Sequence, residues 1–308
     1  MERPWSMPAH IPLQPREDAV ALDAWYPLGA VEELAFGRVR TTTLLGACLG
    51  LVRKAGGEVE VWREDGGSPA PAPALPVRLR HGYVWTTLGV PAGDVFTIPE
   101  YAEPDRRNLN GGSVRVRAAA PRVVENFLDM GHLAIVHEGY LGVPPRAEIK
   151  PYKVEITADP DEVIATGCRI YQPQASLAAT EGFEVEYAFR VPHPYCAVLY
   201  KSSALDLARN DVIAILVQPV DEEHSIAHMM VSVLDADSSD RAIRAFQQFI
   251  FGQDRPILEN QRPVRLPLDP LAEIPVKADA TASAYRRWLR RRGVRYGTLP
   301  VEAGIADD

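Results

Sequence analysis

Apolar positions recur at two spacings along this chain, and the change from one to the other orders its elements. Between residues 25 and 62 the segments AWYPLGAV, TTTLLGACLGLVRK and EVEVW are separated by glycine-containing turns, the pattern of a short antiparallel β unit. Residues 63–76, REDGGSPAPAPALP, hold too much Pro, Ala and Gly for a regular element. A strand-like HGYVWTTLG resumes at His81, and a loop with EPDRR at 103–107 leads to GSVRVRAAA, where a second region begins. Further strands are predicted at YKVEITA, VIATGCRIY, FEVEYAFRV, YCAVLYKSS, DVIAILVQPV and SIAHMMVSVL. In the third of these, Phe183, Val185, Tyr187 and Phe189 alternate with Glu184, Glu186 and Arg190, so one face is wet and the other buried.

Two stretches change to helical spacing. One is ENFLDMGHLAIVHEGYLG at 125–142, read as a largely apolar helical segment. The other is DRAIRAFQQFIFGQDRPILENQR at 240–262, where Ile243, Phe246, Phe249, Ile250, Ile257 and Leu258 form an apolar stripe, and where Pro256 is expected to kink the helix. A last helix is expected near 278–292. Strands bracketed by helices imply an α+β fold, not a parallel doubly wound sheet.

With 308 residues and 46% hydrophobic composition the chain can bury a substantial core. A net charge of -8 argues against nucleic acid or an anionic membrane as partner. The one basic cluster, Arg286, Arg287, Arg290, Arg291 and Arg292, reads as a solvated helix face or a protein contact. No run approaches the roughly 20 apolar residues of a membrane span, and the proline-rich start lacks a signal peptide's apolar core, so a cytoplasmic protein is expected. Cys48, Cys168 and Cys196 are too few and scattered for a disulfide framework and read as buried thiols.

Both helical stretches carry a polar anomaly. Asp129, His132 and His137 interrupt the first, and Asp254 falls on the apolar stripe of the second, where a lone carboxylate wants a cation. Two histidines and one carboxylate form the facial set that holds Fe(II) while leaving positions open, so His132, His137 and Asp254 are candidate ligands of one mononuclear iron. The same set also serves zinc, and spacing does not select the metal. His132 and His137 diverge by roughly 140° on an ideal helix, so the helix must end before His137 or contain a bulge. Taken singly, each residue has a structural explanation: a hydrogen-bonded histidine, a helix-cap or ion-paired aspartate. Agreement between two distant sites favours the metal. His224 and His228 form a weaker pair with no third ligand. No nucleophile elbow, Walker loop or dinucleotide-binding turn is present.

At these residues the chain resembles the catalytic subunits of Rieske-type non-haem iron oxygenases, whose iron motif is Asp-x-x-His-x4-His with a further Asp far downstream; NFLDMGHLAIVH and GQDRPILENQ match both parts. AWYPLGAVEEL is similar to the entry of the family's Rieske domain and HGYVWTTLG to the strand that ends it. The resemblance implies a degenerate Rieske-like β domain at 1–108 and a helix-grip (START/Bet v1-like) catalytic domain at 109–308, with an antiparallel sheet and flanking helices. It departs from the family at the cluster. A [2Fe-2S] centre needs two Cys and two His, delivered in the family by Cys-x-His and Cys-x-x-His, and neither pattern exists here. Electrons must then come from a separate Rieske-containing reductase. EPDRR, GSVRV, ENFLDM, FGQD and SAYRRWL are similar to the one branch of the bacterial methylxanthine N-demethylases whose catalytic subunit has that deficiency, the branch that acts at the 7-methyl position. That branch implies hydroxylation of an N-methyl group on a small aromatic substrate, followed by loss of formaldehyde. It also implies a trimer-based homo- or hetero-oligomer and a possible glutathione-S-transferase-like companion. Within this resemblance Asp129 would bridge from the donor cluster toward His132, and Asn126 would lie near the open side of the iron. Alternatives are an O-demethylase or other oxygenase on a different small aromatic, and a non-catalytic ligand-binding or scaffold paralogue.

Overall fold

The computed structural model describes residues 18–64 and 73–301. After a one-turn helix α1 (Ala19–Leu22) come six short strands: β1 (Tyr26–Ala30), β2 (Val39–Leu44), β3 (Ala47–Arg53), β4 (Val59–Arg63), β5 (Val77–Arg80) and β6 (Tyr83–Thr86). They form two antiparallel three-stranded sheets, ordered β2-β3-β4 and β1-β6-β5. The expected N-terminal β unit is present, divided between these sheets because β1 pairs with β6 instead of with β2. Most of the Pro/Ala/Gly segment, residues 65–72, lies outside the described residues.

Next come β7 (Arg107–Val116), the helices α2 (Ala120–Leu128) and α3 (Leu133–Val136), then β8 (Lys153–Ile156), β9 (Val163–Gln172), β10 (Phe183–His193), β11 (Cys196–Ser202), β12 (Asn210–Pro219) and β13 (Ser225–Val233). The long helix α4 (Asp240–Asn260) follows, then β14 (Leu266–Pro267), α5 (Ala280–Arg291) and β15 (Thr298–Leu299). Strands β7 to β13 make one seven-stranded antiparallel sheet in the order β7-β13-β12-β11-β10-β9-β8. All six strands read from the second half of the sequence are in it. The fold is α+β, as expected.

Strand β10 shows the alternation its sequence predicts, with Val185, Tyr187, Phe189 and Val191 buried. Strand β13 is buried at every position because both its faces are covered. On one side Tyr83, Trp85 and Ile98 pack on Val198, Val212 and Met230. On the other, Val123, Leu128, Phe251 and Trp288 share a core with Phe189, Leu199 and Ile215. The helices therefore close over one face of the sheet while the N-terminal strands seal the other. Buried polar contacts join the layers: Tyr83 Oη donates to the Met229 carbonyl at 2.8 Å, and Gln218 Nε2 donates to Thr42 Oγ1 at 2.8 Å.

Three local expectations are corrected. The segment at 125–142 is two helices, because α2 stops at Leu128 and Asp129 turns extended with ψ 123°. The Asp129 carboxylate accepts from Gly131 N at 2.7 Å, a local turn that competes with helix continuation. Pro256 lies inside α4, which is continuous from Asp240 to Asn260. Pro256 and Gly252 are both exposed, so water can satisfy the Gly252 carbonyl that the proline leaves unbonded. The apolar stripe of α4 is narrower than its sequence suggests: Ile243, Phe251 and Leu258 are buried, whereas Phe249 and Ile257 are exposed. Cys48 is an exposed thiol, since its side of β3 is open; Cys168 and Cys196 are buried.

Candidate metal centre

The break at Asp129 sets the geometry of the site. His132 begins α3 and His137 ends it, so one helical turn holds both imidazoles and each leaves the helix axis at a different end. Their Nε2 atoms lie 3.2 Å apart. Asp254, on the buried face of α4, brings Oδ1 to 3.0 Å from His137 Nε2 and 3.3 Å from His132 Nε2. The three residues expected from sequence as a ligand set therefore converge, with donor atoms within 4.8 Å of one another.

These separations suit a metal ion. Bonds of about 2.1 Å at right angles hold neighbouring ligand atoms about 3.0 Å apart. Asp254 Oδ1 is buried, and the only polar atoms placed on it among the described residues are the two imidazole Nε2 atoms, both of which a cation would also use. The far side of each imidazole is held by an acceptor: His132 Nδ1 by Asp129 Oδ2 at 3.2 Å, His137 Nδ1 by Gln253 Oε1 at 2.9 Å. A proton on each Nδ1 leaves both Nε2 lone pairs free for a metal. Gln253 was not found from sequence; the available signal was its place next to Asp254 on the same helix.

Burial opposes a charged imidazole at His132, but contacts with the Asp129 and Asp254 carboxylates outweigh it and raise its pKa to about 9. Burial likewise works against ionisation of Asp254 and Asp129, yet the imidazoles hold Asp254, and His132 holds Asp129, below the ordinary aspartate value.

The other polar groups singled out in the sequence lie elsewhere. His228 is fully buried between Ser113 Oγ at 2.8 Å and Gln218 Oε1 at 3.2 Å, and burial pushes its pKa down to about 3, so it is a neutral structural histidine. His224 precedes β13 and contacts Asp221 at 3.0 Å. The two do not form a second site. On the basic face of α5, half-buried Arg286 pairs with Glu125 and Glu273, while Arg291 and Arg292 are exposed and pair with Asp161 at the surface.

Two cavities meet at the cluster. The inner one, about 130 Å³, lies between the helices and the sheet, and Phe127, Leu133, Phe189, Ile215 and Phe251 give it an apolar lining. The outer one, about 510 Å³, is edged by Arg262, Arg286, Arg287 and Arg290 with Glu125 and Glu273 among them. Asn126, Asp129 and His132 line both.

A helix-gripped antiparallel sheet with a His-His-Asp cluster beside an apolar cavity is the architecture of a Rieske-oxygenase catalytic domain. Residues 116–295 match the family described as vanillate O-demethylase oxygenase C-terminal domain, and the chain belongs to that family. It is 44% identical over 282 residues to the probable methylxanthine N7-demethylase NdmC of Pseudomonas sp. (strain TJI-51), across 92% of this chain and 98% of that protein. It is 28% identical to the methylxanthine N1-demethylase NdmA of Pseudomonas putida, across 68% of this chain and 58% of that one. The structure of Pseudomonas putida CBB5 NdmA with caffeine shares the fold at TM-score 0.68 and 21% identity, covering 86% of this chain and 89% of the other.

Proposed function

We propose that this protein is the oxygenase component of a methylxanthine N-demethylase, acting on a methylxanthine of the 7-methyl type with electrons from a separate Rieske-containing reductase. The observation that carries the reading is the convergence of His132 Nε2, His137 Nε2 and Asp254 Oδ1 beside an apolar cavity, in a chain 44% identical to a probable N7-demethylase. In this reading the three residues hold one Fe(II), which when bound supplies dioxygen activation. Phe127, Phe189 and Phe251 offer flat apolar contact to a planar, uncharged heterocycle. With O2, two electrons and two protons, the N–CH3 group becomes N–CH2OH and one water forms. The N–CH2OH group then releases formaldehyde and leaves N–H.

Asp129 and Asn126 belong to the wall between the cavities. Asp129 would fix the His132 tautomer and carry the connection outward to the donor, whose docking place is the arginine-edged outer cavity. Asn126 would face the open side of the iron. Residues 1–108 are assigned as the degenerate Rieske-like domain and 109–308 as the catalytic one. Neither Cys-x-His nor Cys-x-x-His occurs in the chain, so the cluster is assigned to the partner. A glutathione-S-transferase-like companion and a trimer-based assembly complete the proposal. Among the described residues, no helix is long and apolar enough to cross a membrane.

Metal analysis and a reductase-coupled assay test this reading. The expected result is one Fe per chain and formaldehyde from 7-methylxanthine only when a Rieske-containing reductase is supplied. Asp254→Ala should take iron content to near zero and abolish turnover. Undiminished iron in that variant would defeat the ligand assignment. Absence of formaldehyde from 7-methylxanthine with a competent reductase would defeat the substrate.

A further inference from the structure

Lys201 of β11 and Asp211 of β12 interrupt the apolar lining of the inner cavity. They are direct partners across the two strands, on the inward row that otherwise carries Leu199, Ile213 and Ile215. Both are buried, at 5% and 7% exposure. Such groups are costly to bury unless something uses them. Lys201 Nζ donates to the Ala175 carbonyl, and Asp211 accepts from Leu234 N at 3.0 Å and from the Ser203 hydroxyl. The two attract each other, yet no ion pair within 4.0 Å joins them among the described residues. An ammonium has three N–H donors and a carboxylate about four acceptor positions, so a donor and an acceptor remain side by side on the cavity wall. Burial lowers the Lys201 pKa to about 8, which leaves the ammonium charged at neutral pH.

We infer that Lys201 and Asp211 recognise an N-unsubstituted lactam edge of the substrate ring, Lys201 donating to a ring carbonyl and Asp211 accepting from the adjacent ring N–H. The inference rests on the functional reading above and names which methylxanthines the site takes. A cavity built for a fully N-methylated xanthine has no use for a buried acceptor. A substrate carboxylate would suit Lys201 but be repelled by Asp211, so aromatic acids fit less well. The pair lies on strands, whereas His132, His137 and Asp254 come from the helices opposite. A 7-methylxanthine matches that division: its methyl is on the imidazole ring, and both of its N–H groups are on the other ring.

The test is calorimetric titration of the iron-loaded native protein with 7-methylxanthine, 3,7-dimethylxanthine and 1,3,7-trimethylxanthine. Loss of a hydrogen bond to a charged group predicts that the trimethyl compound binds about 10- to 100-fold more weakly than 7-methylxanthine. In a K201M/D211L double variant, whose fold is checked by circular dichroism and melting, that preference should shrink to below about threefold. Equal affinity of the native protein for the two compounds overturns the inference, and this series decides alone if the double variant does not fold. A folded double variant that keeps the native preference overturns it as well. If the native protein binds none of the three and yields no formaldehyde with reductase, the functional reading fails, and this inference with it.

Discussion

Through Gln253 and its neighbour Asp254, α4 would act on a bound metal twice, Asp254 as a proposed ligand and Gln253 by accepting at His137 Nδ1. Groups that orient a ligating imidazole in this way are worth about 10- to 100-fold in metal affinity. Gln253→Leu should therefore weaken Fe(II) binding by that factor in a competition titration with a chelator, while the helix itself stays folded. Lys201 provides a pH signature. Its folded pKa of about 8 lies below the 10.5 of a free lysine, so between these values the unfolded chain binds a proton that the folded chain has lost. Stability linked to this group is thus lowest below pH 8 and rises toward pH 10.5, by on the order of 3 kcal/mol. The difference in urea-unfolding free energy between native protein and the K201M/D211L variant should shift by that amount in favour of the native chain from pH 7 to pH 10. The cluster of His132, His137 and Asp254 was legible in the sequence because each member breaks an apolar pattern. Lys201 and Asp211 were not, since each stands near a strand end where a charge passes for a solvated tip.

At the scale of elements, one turn of helix determines whether two imidazoles meet. Helix α3 is held from its C-terminal side, where Tyr140 N and Leu141 N both donate to the His137 carbonyl at 3.0 Å and Gly139 N donates to Gly142 O at 2.9 Å. Gly142 packs so tightly that a Cβ there would lie 2.7 Å from Ala134 Cα and 2.8 Å from Ala134 N. Both are backbone atoms, so α3 itself would have to move. Gly142→Ala should cost about 1–3 kcal/mol of stability and lower iron occupancy together, as read by thermal melting and metal analysis. The strands of the large sheet could be read from sequence because burial on one face, as in β10, or on both, as in β13, leaves a direct trace in residue order. The division of 125–142 into two helices left a weaker trace. It depends on the Asp129 carboxylate capturing Gly131 N, a choice between helix and turn that composition alone leaves open. The exposure of Cys48 was hidden for another reason: which side of β3 is covered depends on other sheets far away in sequence.

For the whole molecule, covering the second face of the large sheet with N-terminal strands leaves the helix side alone for chemistry. The outer cavity gathers several arginines, and those with acidic neighbours, such as Arg286, are already neutralised within the chain. Arg287 also edges this cavity, and it is the better candidate for contact with an acidic donor surface. Arg287→Glu should raise the reductase concentration needed for half-maximal turnover several-fold, more so at low salt, with iron content unchanged. Steady-state assays across ionic strength would show this; a salt-independent loss would point away from docking.

The thin partition of Asn126, Asp129 and His132 has open space on either side. If the heterocycle takes the inner cavity and the reductant docks at the outer one, as proposed, neither has to leave for the other. Both would then be in place before oxygen arrives, and fuel delivered from behind the wall would not be wasted on an empty chamber.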